Sequence, residues 1–131
     1  MNNLSSIFKN QVVLVSGHTG FKGSWLCLWL HSLGAKVVGV SNELTTSPSH
    51  YENTKNFLSH DLRANIEHKE TFSIILENHK PVFVFHLAAQ AIVVNSFKDP
   101  YQTFASNTLG TLNLLEALRN YSEQCTAILI T

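Results

Sequence analysis

Three glycines spaced three residues apart constrain this chain more than any other feature. They stand in Gly17-His18-Thr19-Gly20-Phe21-Lys22-Gly23, between two apolar runs. Before them comes QVVLVS, Gln11 to Ser16, a continuous apolar run of the kind that a strand covered on both faces requires. After them comes SWLCLWLHSL, apolar on nearly all sides and closed by Gly34 where a helix C-cap belongs. A strand feeding a glycine turn that opens a helix gives each glycine a task. Gly17 allows a tight turn off the strand, Gly20 lets a diphosphate approach the backbone, and Gly23 lets the helix pack close to the sheet. Thr19, Phe21 and Lys22 complete the turn, and free N–H groups at the helix start supply the donors. The spacing is not G-x-G-x-x-G, and no G-K-[ST] follows, so the phosphate loop of nucleoside triphosphatases is excluded.

The remaining segments repeat the alternation. Lys36 to Val40 reads as a second strand, with Ser41 at its end. Asn42 to Asn56 is polar and reads as a loop whose length suits a functional segment. Phe57 to His60 predicts a very short third strand ending at Asp61. Asn65 to His79 predicts a helix, with a break near Lys69 to Thr71. Pro81 opens PVFVFHL, a buried strand. Asp99-Pro100 is an N-cap followed by a proline at the first helical position, and a long helix runs from there to about Asn120. Phe104, Asn107, Thr111, Leu114 and Leu118 fall on one face of it. Thr126 to Thr131, TAILIT, is a fifth strand. Strands alternating with helices, without hairpins, predict an α/β fold with a doubly wound parallel sheet, truncated after its fifth strand.

Composition narrows the function. Nine Lys and Arg balance nine Asp and Glu, so nothing draws in a nucleic-acid backbone. With 44% apolar residues the chain is not disordered. The apolar runs are too short to cross a bilayer, and the first ten residues lack a signal-peptide core, so the chain reads as cytoplasmic. Two cysteines, Cys27 and Cys125, make neither a disulfide scaffold nor a metal site and read as buried small hydrophobes. The histidines show no metal-ligand spacing. Trp25 and Trp29 read as core packing.

Ligands of open parallel sheets lie outside the carboxyl ends of the strands. That places Ser41 or Glu43 at an adenosine ribose. With no arginine in the neighbouring sequence, NAD is favoured over NADP. Asp61, with Leu62, falls at an adenine pocket, or serves as an N-cap. His86-Leu87-Ala88-Ala89-Gln90 ends the fourth strand, where Ala88 and Ala89 are small enough for a flat cofactor to lie on the backbone. His86 reads as structural rather than as an acid or base. Asn107, a poor helix former, reads as a brace for the loop after the fourth or fifth strand. Gly110 reads equally as close packing or as a tolerated glycine.

The combination GHTGFKGSWLCLWLHSLGAKVVG, TSPS, HLAAQ and NTLGTLNLLEALR resembles the extended short-chain dehydrogenase/reductase family of nucleotide-sugar enzymes, and within it the CDP-glucose 4,6-dehydratases. The resemblance runs from Phe8 to Thr131. It implies a Rossmann-like NAD-binding domain and a redox-neutral conversion of CDP-D-glucose to CDP-4-keto-6-deoxy-D-glucose and water, with NAD as the hydride carrier. It implies that Gly17, Gly20 and Gly23 line the diphosphate. Asp61 and Leu62 would line the adenine, and Leu87, Ala88, Ala89 and Gln90 the middle of the cofactor. Thr131 matches the family's active-site threonine at the sugar's 4-hydroxyl.

The same resemblance places the family's Asp-Lys pair, its catalytic Tyr-x-x-x-Lys and its sugar-nucleotide domain beyond residue 131. Tyr51, Tyr101 and Tyr121 are not taken as substitutes for that tyrosine. Residues 1–131 are therefore expected to form an incomplete cofactor domain, inactive alone and marginally stable. A homodimer packed through the helix at 100–120 is implied for the intact enzyme. Ala91 and Val94 stand where the family usually has proline and arginine, and Phe97 replaces a common tyrosine; the lost arginine is expected to weaken substrate or cofactor phosphate contacts. A sister epimerase, another nucleotide-sugar dehydratase and a non-catalytic nucleotide-binding module are the competing expectations.

Overall fold

The structure, a computed structural model, describes residues 3–44 and 46–130. Its five strands are β1 (Val12–Ser16), β2 (Lys36–Ser41), β3 (His60–Arg63), β4 (Phe83–His86) and β5 (Thr126–Leu129). All pair in parallel, in the order β3-β2-β1-β4-β5. The chain steps outward from β1 to β3, then crosses back to β4 beside β1. That reversal falls at the carboxyl ends of β1 and β4, the place where open α/β sheets hold ligands.

Side-chain alternation splits the core into two layers. Val13, Val15 and Val37 face one side and meet Phe8, Cys27, Leu30, Leu33 and Ala35. Phe8 ends the short helix α1 (Asn3–Phe8), and the others come from α2 (Phe21–Ser32) and the turn after it. Leu14, Val38, Val40 and Val84 face the opposite side. There they meet Phe72, Ile75 and Leu76 of α4 (Thr71–His79), and Leu114 and Ala117 of α7 (Gly110–Arg119). Phe72 is fully buried, which stabilises the fold by about 1.5–3 kcal/mol.

Several elements differ from their sequence expectation. The third strand is His60–Arg63, so Asp61 lies inside it and not at its end. Pairing with β2 decides this: Val38 to Ser41 match His60 to Arg63 in register, and Phe57 closes a 3-10 turn instead. The long loop contains a helical turn, α3 (Tyr51–Thr54). The helix expected from Asn65 begins at Thr71. Asn65 turns the chain first, accepting from the Glu67 N–H through its side chain and from the Thr71 hydroxyl through its carbonyl.

A short helix, α5 (Val93–Lys98), follows the fourth strand and was not anticipated. Asp99 and Pro100 do open the next helix, and the Asp99 carboxylate accepts from the Gln102 N–H at 2.9 Å. That helix is one rod, α6 (Pro100–Phe104) running into α7 through a π turn at Ala105–Leu109. The π turn inserts a residue and rotates the buried stripe. The buried positions are Ala105, Gly110, Leu114 and Ala117, while Phe104 and Asn107 of the expected face are exposed.

Candidate functional site

The glycine turn follows the carboxyl end of β1, at the reversal of strand order. Gly17 has φ +78°, and a Cβ there would lie 2.7 Å from the Ala88 nitrogen. Only glycine lets the turn after β1 touch the segment after β4. A Cβ on Gly23 would stand 2.1 Å from the Gly17 carbonyl oxygen. Gly23 therefore packs the helix onto the turn itself, not onto the sheet as its spacing suggests. Gly20 differs: its Cβ would meet only the Gly17 oxygen, at 3.3 Å, so its outer side is open. No side chain caps α2, whose first residues after Gly20 are Phe21, Lys22 and Gly23. Their N–H groups precede the first possible intrahelical bond and are free to face an anion. Phe21 and Lys22 are exposed beside them. Thr19 is buried, and its hydroxyl donates to the Glu43 carbonyl at 3.0 Å. It ties the turn to the loop after β2 and does not reach outward.

At the β2–β3 side, Ser41 is buried and its Oγ lies 3.5 Å from the Thr19 N–H, within the reach of a weak bond. Asp61 is the hub of a small polar cluster. Its Oδ1 lies 2.8 Å from His18 Nε2, its Oδ2 accepts from the Tyr51 hydroxyl, and Arg63 lies 3.6 Å from Oδ2. The His18 ring lies against Gly39, where a Cβ would come within 2.5 Å of it. Burial holds the His18 pKa below its ordinary value, outweighing Asp61, and the ring is neutral near pH 7. Burial pushes the Asp61 carboxyl upward, but hydrogen bonds from Tyr51 and His18 bring it below the ordinary range. Leu62 points to the opposite face and packs against the α4–α7 core, so its side chain does not share the face of Asp61.

After β4, His86 is buried and organises a relay. Thr111 Oγ1 donates to the Asn107 carbonyl at 3.0 Å, so it accepts from His86 Nε2–H, also at 3.0 Å. His86 Nδ1 then accepts from the Ser16 hydroxyl at 2.6 Å. Ser16 Oγ in turn lies 3.3 Å from the Ala88 N–H. Asn107 grips Gln90 from both sides, accepting from its N–H at 2.7 Å and donating to its carbonyl at 3.2 Å. The expected brace is present, although Asn107 is exposed and not buried. The π turn carries Asn107 onto this loop. Both His86 ring nitrogens are engaged within this buried network. Leu87 and Ala88 are half-buried and Ala89 is exposed in the segment after β4.

Thr131 lies outside the described residues. Tyr51 and Lys55 do have the spacing Tyr-x-x-x-Lys. They still cannot stand in for a catalytic pair. Lys55 Nζ is engaged by Glu52 at 2.7 Å, and Tyr51 donates to Asp61. Burial and Asp61 push the Tyr51 hydroxyl above its ordinary pKa, the opposite of what a base requires.

Trp25 and Trp29 are 48% and 50% exposed, not core, because α2 turns Gly23, Ser24, Cys27 and Leu30 inward. Trp25 instead stacks on His50 at 4.1 Å. Cys27 is buried, with its thiol pushed up to about 12 by burial. Cys125 is half-buried, not fully so. Gly110 proves a close contact: a Cβ would stand 2.5 Å from Ile66 Cδ1. Among the described residues no cluster of His, Cys, Asp or Glu is arranged to hold a metal, and no helix is long and apolar enough to cross a membrane.

Comparisons with known proteins agree with this geometry. The family model described as GDP-mannose 4,6 dehydratase matches residues 14–131. CDP-glucose 4,6-dehydratase of Salmonella typhimurium is 39% identical over 115 residues, covering 87% of this chain and 32% of the relative. Among solved structures, UDP-glucose 4-epimerase of Thermotoga maritima with UDP-glucose is 34% identical, with TM-score 0.78 over 90% of this chain and 37% of that one. The Thermus thermophilus UDP-glucose 4-epimerase in complex with NAD is 36% identical, with TM-score 0.72 over 84% of this chain and 34% of that one. The chain thus spans about a third of the length of the relatives it matches.

Proposed function

The chain belongs to the family of nucleotide-sugar 4,6-dehydratases and epimerases, and on that premise we propose that it binds NAD as the cofactor portion of such an enzyme. The observation that carries this is the uncapped start of α2, open over Gly20, at the point where the sheet order reverses. In this reading the N–H groups of Phe21, Lys22 and Gly23 hold the diphosphate, and Gly17 keeps the turn low enough to admit it. Ser41 binds the adenosine ribose. Asp61 accepts from the adenine amino group; a carboxylate has about four acceptor sites, so His18 and Tyr51 leave room. The Leu62 contribution is its backbone. Leu87, Ala88, Ala89 and Gln90, held by Asn107, support the middle of the cofactor. NAD, when bound, supplies reversible hydride transfer.

For the whole protein we propose CDP-glucose 4,6-dehydration, supported by the likeness to the Salmonella dehydratase. Thr131 is assigned to the sugar's 4-hydroxyl. A sister epimerase is the second reading, favoured by the fold likeness to UDP-glucose 4-epimerases. A cytoplasmic homodimer is part of the same proposal. The outer face of α6 and α7, with Tyr101, Phe104, Leu112 and Leu115 exposed, supports it.

Calorimetric titration with NAD, NADH and ATP tests the cofactor reading. Micromolar binding of NAD or NADH, and not of ATP, is the expected result. Binding of none of the three would overturn it. Incubation of the NAD-loaded chain with CDP-glucose or UDP-glucose, followed by NMR, should show neither a 4-keto-6-deoxy sugar nor an epimer. Turnover by residues 1–131 alone would overturn the division of labour proposed here.

A further inference from the structure

Two histidines far apart in sequence meet at the amino end of the sheet. His60 is the first residue of β3 and His79 the last of α4. In a parallel sheet both stand at the opposite end from the glycine turn. Their ring centroids lie 4.7 Å apart, with the planes tilted by 55° and not stacked face to face. Two imidazoles on one ion, with nitrogens about 2.0–2.1 Å from it and bonds about 90–110° apart, hold their centroids about 4.5–5.2 Å from each other. The observed separation falls inside that range.

The surroundings favour a cation. His18, His50 and His86 spend ring nitrogens on Asp61, Ser24, Ser16 and Thr111. Among the described residues no hydrogen bond engages the rings of His60 and His79, and solvent reaches both, one exposed and one half-buried. His79 also closes α4, where the last carbonyls of a helix carry partial negative charge. No third His, Cys, Asp or Glu joins the pair among the described residues, so an ion held there keeps water at its remaining positions. We propose that His60 and His79 form a two-imidazole site for a divalent cation of the zinc or nickel class, tying the edge strand β3 to the end of α4. The proposal stands apart from the dinucleotide reading of the glycine turn.

Titration of the chain with zinc chloride, followed by calorimetry and by NMR of the histidine ring nitrogens, tests it beside His60→Gln, His79→Gln and His68→Gln. One ion per chain is expected, with a Kd of about 1–200 μM, as for half the ligands of a structural zinc site. His60→Gln and His79→Gln should each weaken binding by about tenfold or more, at least the loss that removal of an outer-shell partner brings. His68→Gln, at another exposed histidine, should leave it unchanged. Zinc should shift the ring nitrogens of His60 and His79 alone, and magnesium, which prefers oxygen ligands, should shift neither. The ion should also raise the unfolding temperature of the chain and not of the two variants. If a variant fails to fold, the ring signals of the unaltered chain decide. Affinity kept in His60→Gln and His79→Gln, an equal loss in His68→Gln, or ring shifts spread over all seven histidines would mean an adventitious ion only and overturn the proposal. So would the absence of binding at about 1 mM zinc.

Discussion

His86 and His18 are neutral because of where they stand. Each has its pKa lowered by burial: His86 among Ser16, Thr111 and Phe72, and His18 against Gly39. In the unfolded chain both regain an ordinary value near 6.5. Between the lowered and ordinary values the unfolded chain binds more protons, so stability rises with pH there and falls on acidification. Asp61 acts in the same direction at lower pH, because its lowered pKa loses its contribution as the carboxylate is protonated. Urea denaturation at pH 7.5, 6 and 5 should give a progressively lower midpoint, and His86→Gln should flatten part of that trend. A midpoint constant across this range contradicts the buried neutral histidines.

Asn107→Leu, which frees both backbone groups of Gln90, should cost about 1–3 kcal/mol. It should also speed hydrogen exchange at the Gln90 amide and weaken NAD binding. Unchanged exchange there contradicts the brace. The brace itself was legible, because an asparagine within a helix needs a reason. Its exposure was not, and neither was the occupation of Asp61. The partners of Asp61 are His18, 43 residues away, and Tyr51, in a segment without periodicity. Strand pairing makes Arg63 the register partner of Ser41, a neighbour that the sequence around the second strand does not show.

At the scale of elements, the strands were largely readable because each central one is a continuous apolar run flanked by turn residues. The third strand, HDLR, carries no such signal and exists through pairing with β2. The expected stripe of the last helix packs on the core at Leu114 and Leu118 but is exposed at Phe104 and Asn107, before and within the π turn at Ala105–Leu109. The shifted stripe puts Gly110 against Ile66. Gly110→Val should therefore destabilise by about 1–3 kcal/mol through overpacking. Ile66→Ala in the same chain should recover part of the loss, giving a coupling that a double-mutant cycle resolves. Additive effects contradict the contact. The α2 helix misled differently. Being apolar on every side, it gives no sign of which stripe faces inward, and its tryptophans turned outward.

At the scale of the molecule, the two core layers and the strand order leave a single reversal point, and the glycine turn stands at it. Phe72→Ala, in the α4–α7 layer, should cost about 3–5 kcal/mol. A loss within about 0.5 kcal/mol, typical of surface positions, contradicts that layer. A variant that keeps the fold and fills the open side of the glycine turn is needed, and Gly20 supplies it. A Cβ there meets only the Gly17 oxygen at 3.3 Å, whereas at Gly17 or Gly23 it would collide with backbone. NADH titration of the chain and of Gly20→Val, with thermal unfolding of both, tests the claim directly. Similar unfolding temperatures are expected, with an affinity reduced by about tenfold or more, equivalent to about 1.4 kcal/mol. Equal NADH affinity in the two proteins, with both folded, would contradict a dinucleotide held on residues 17–23.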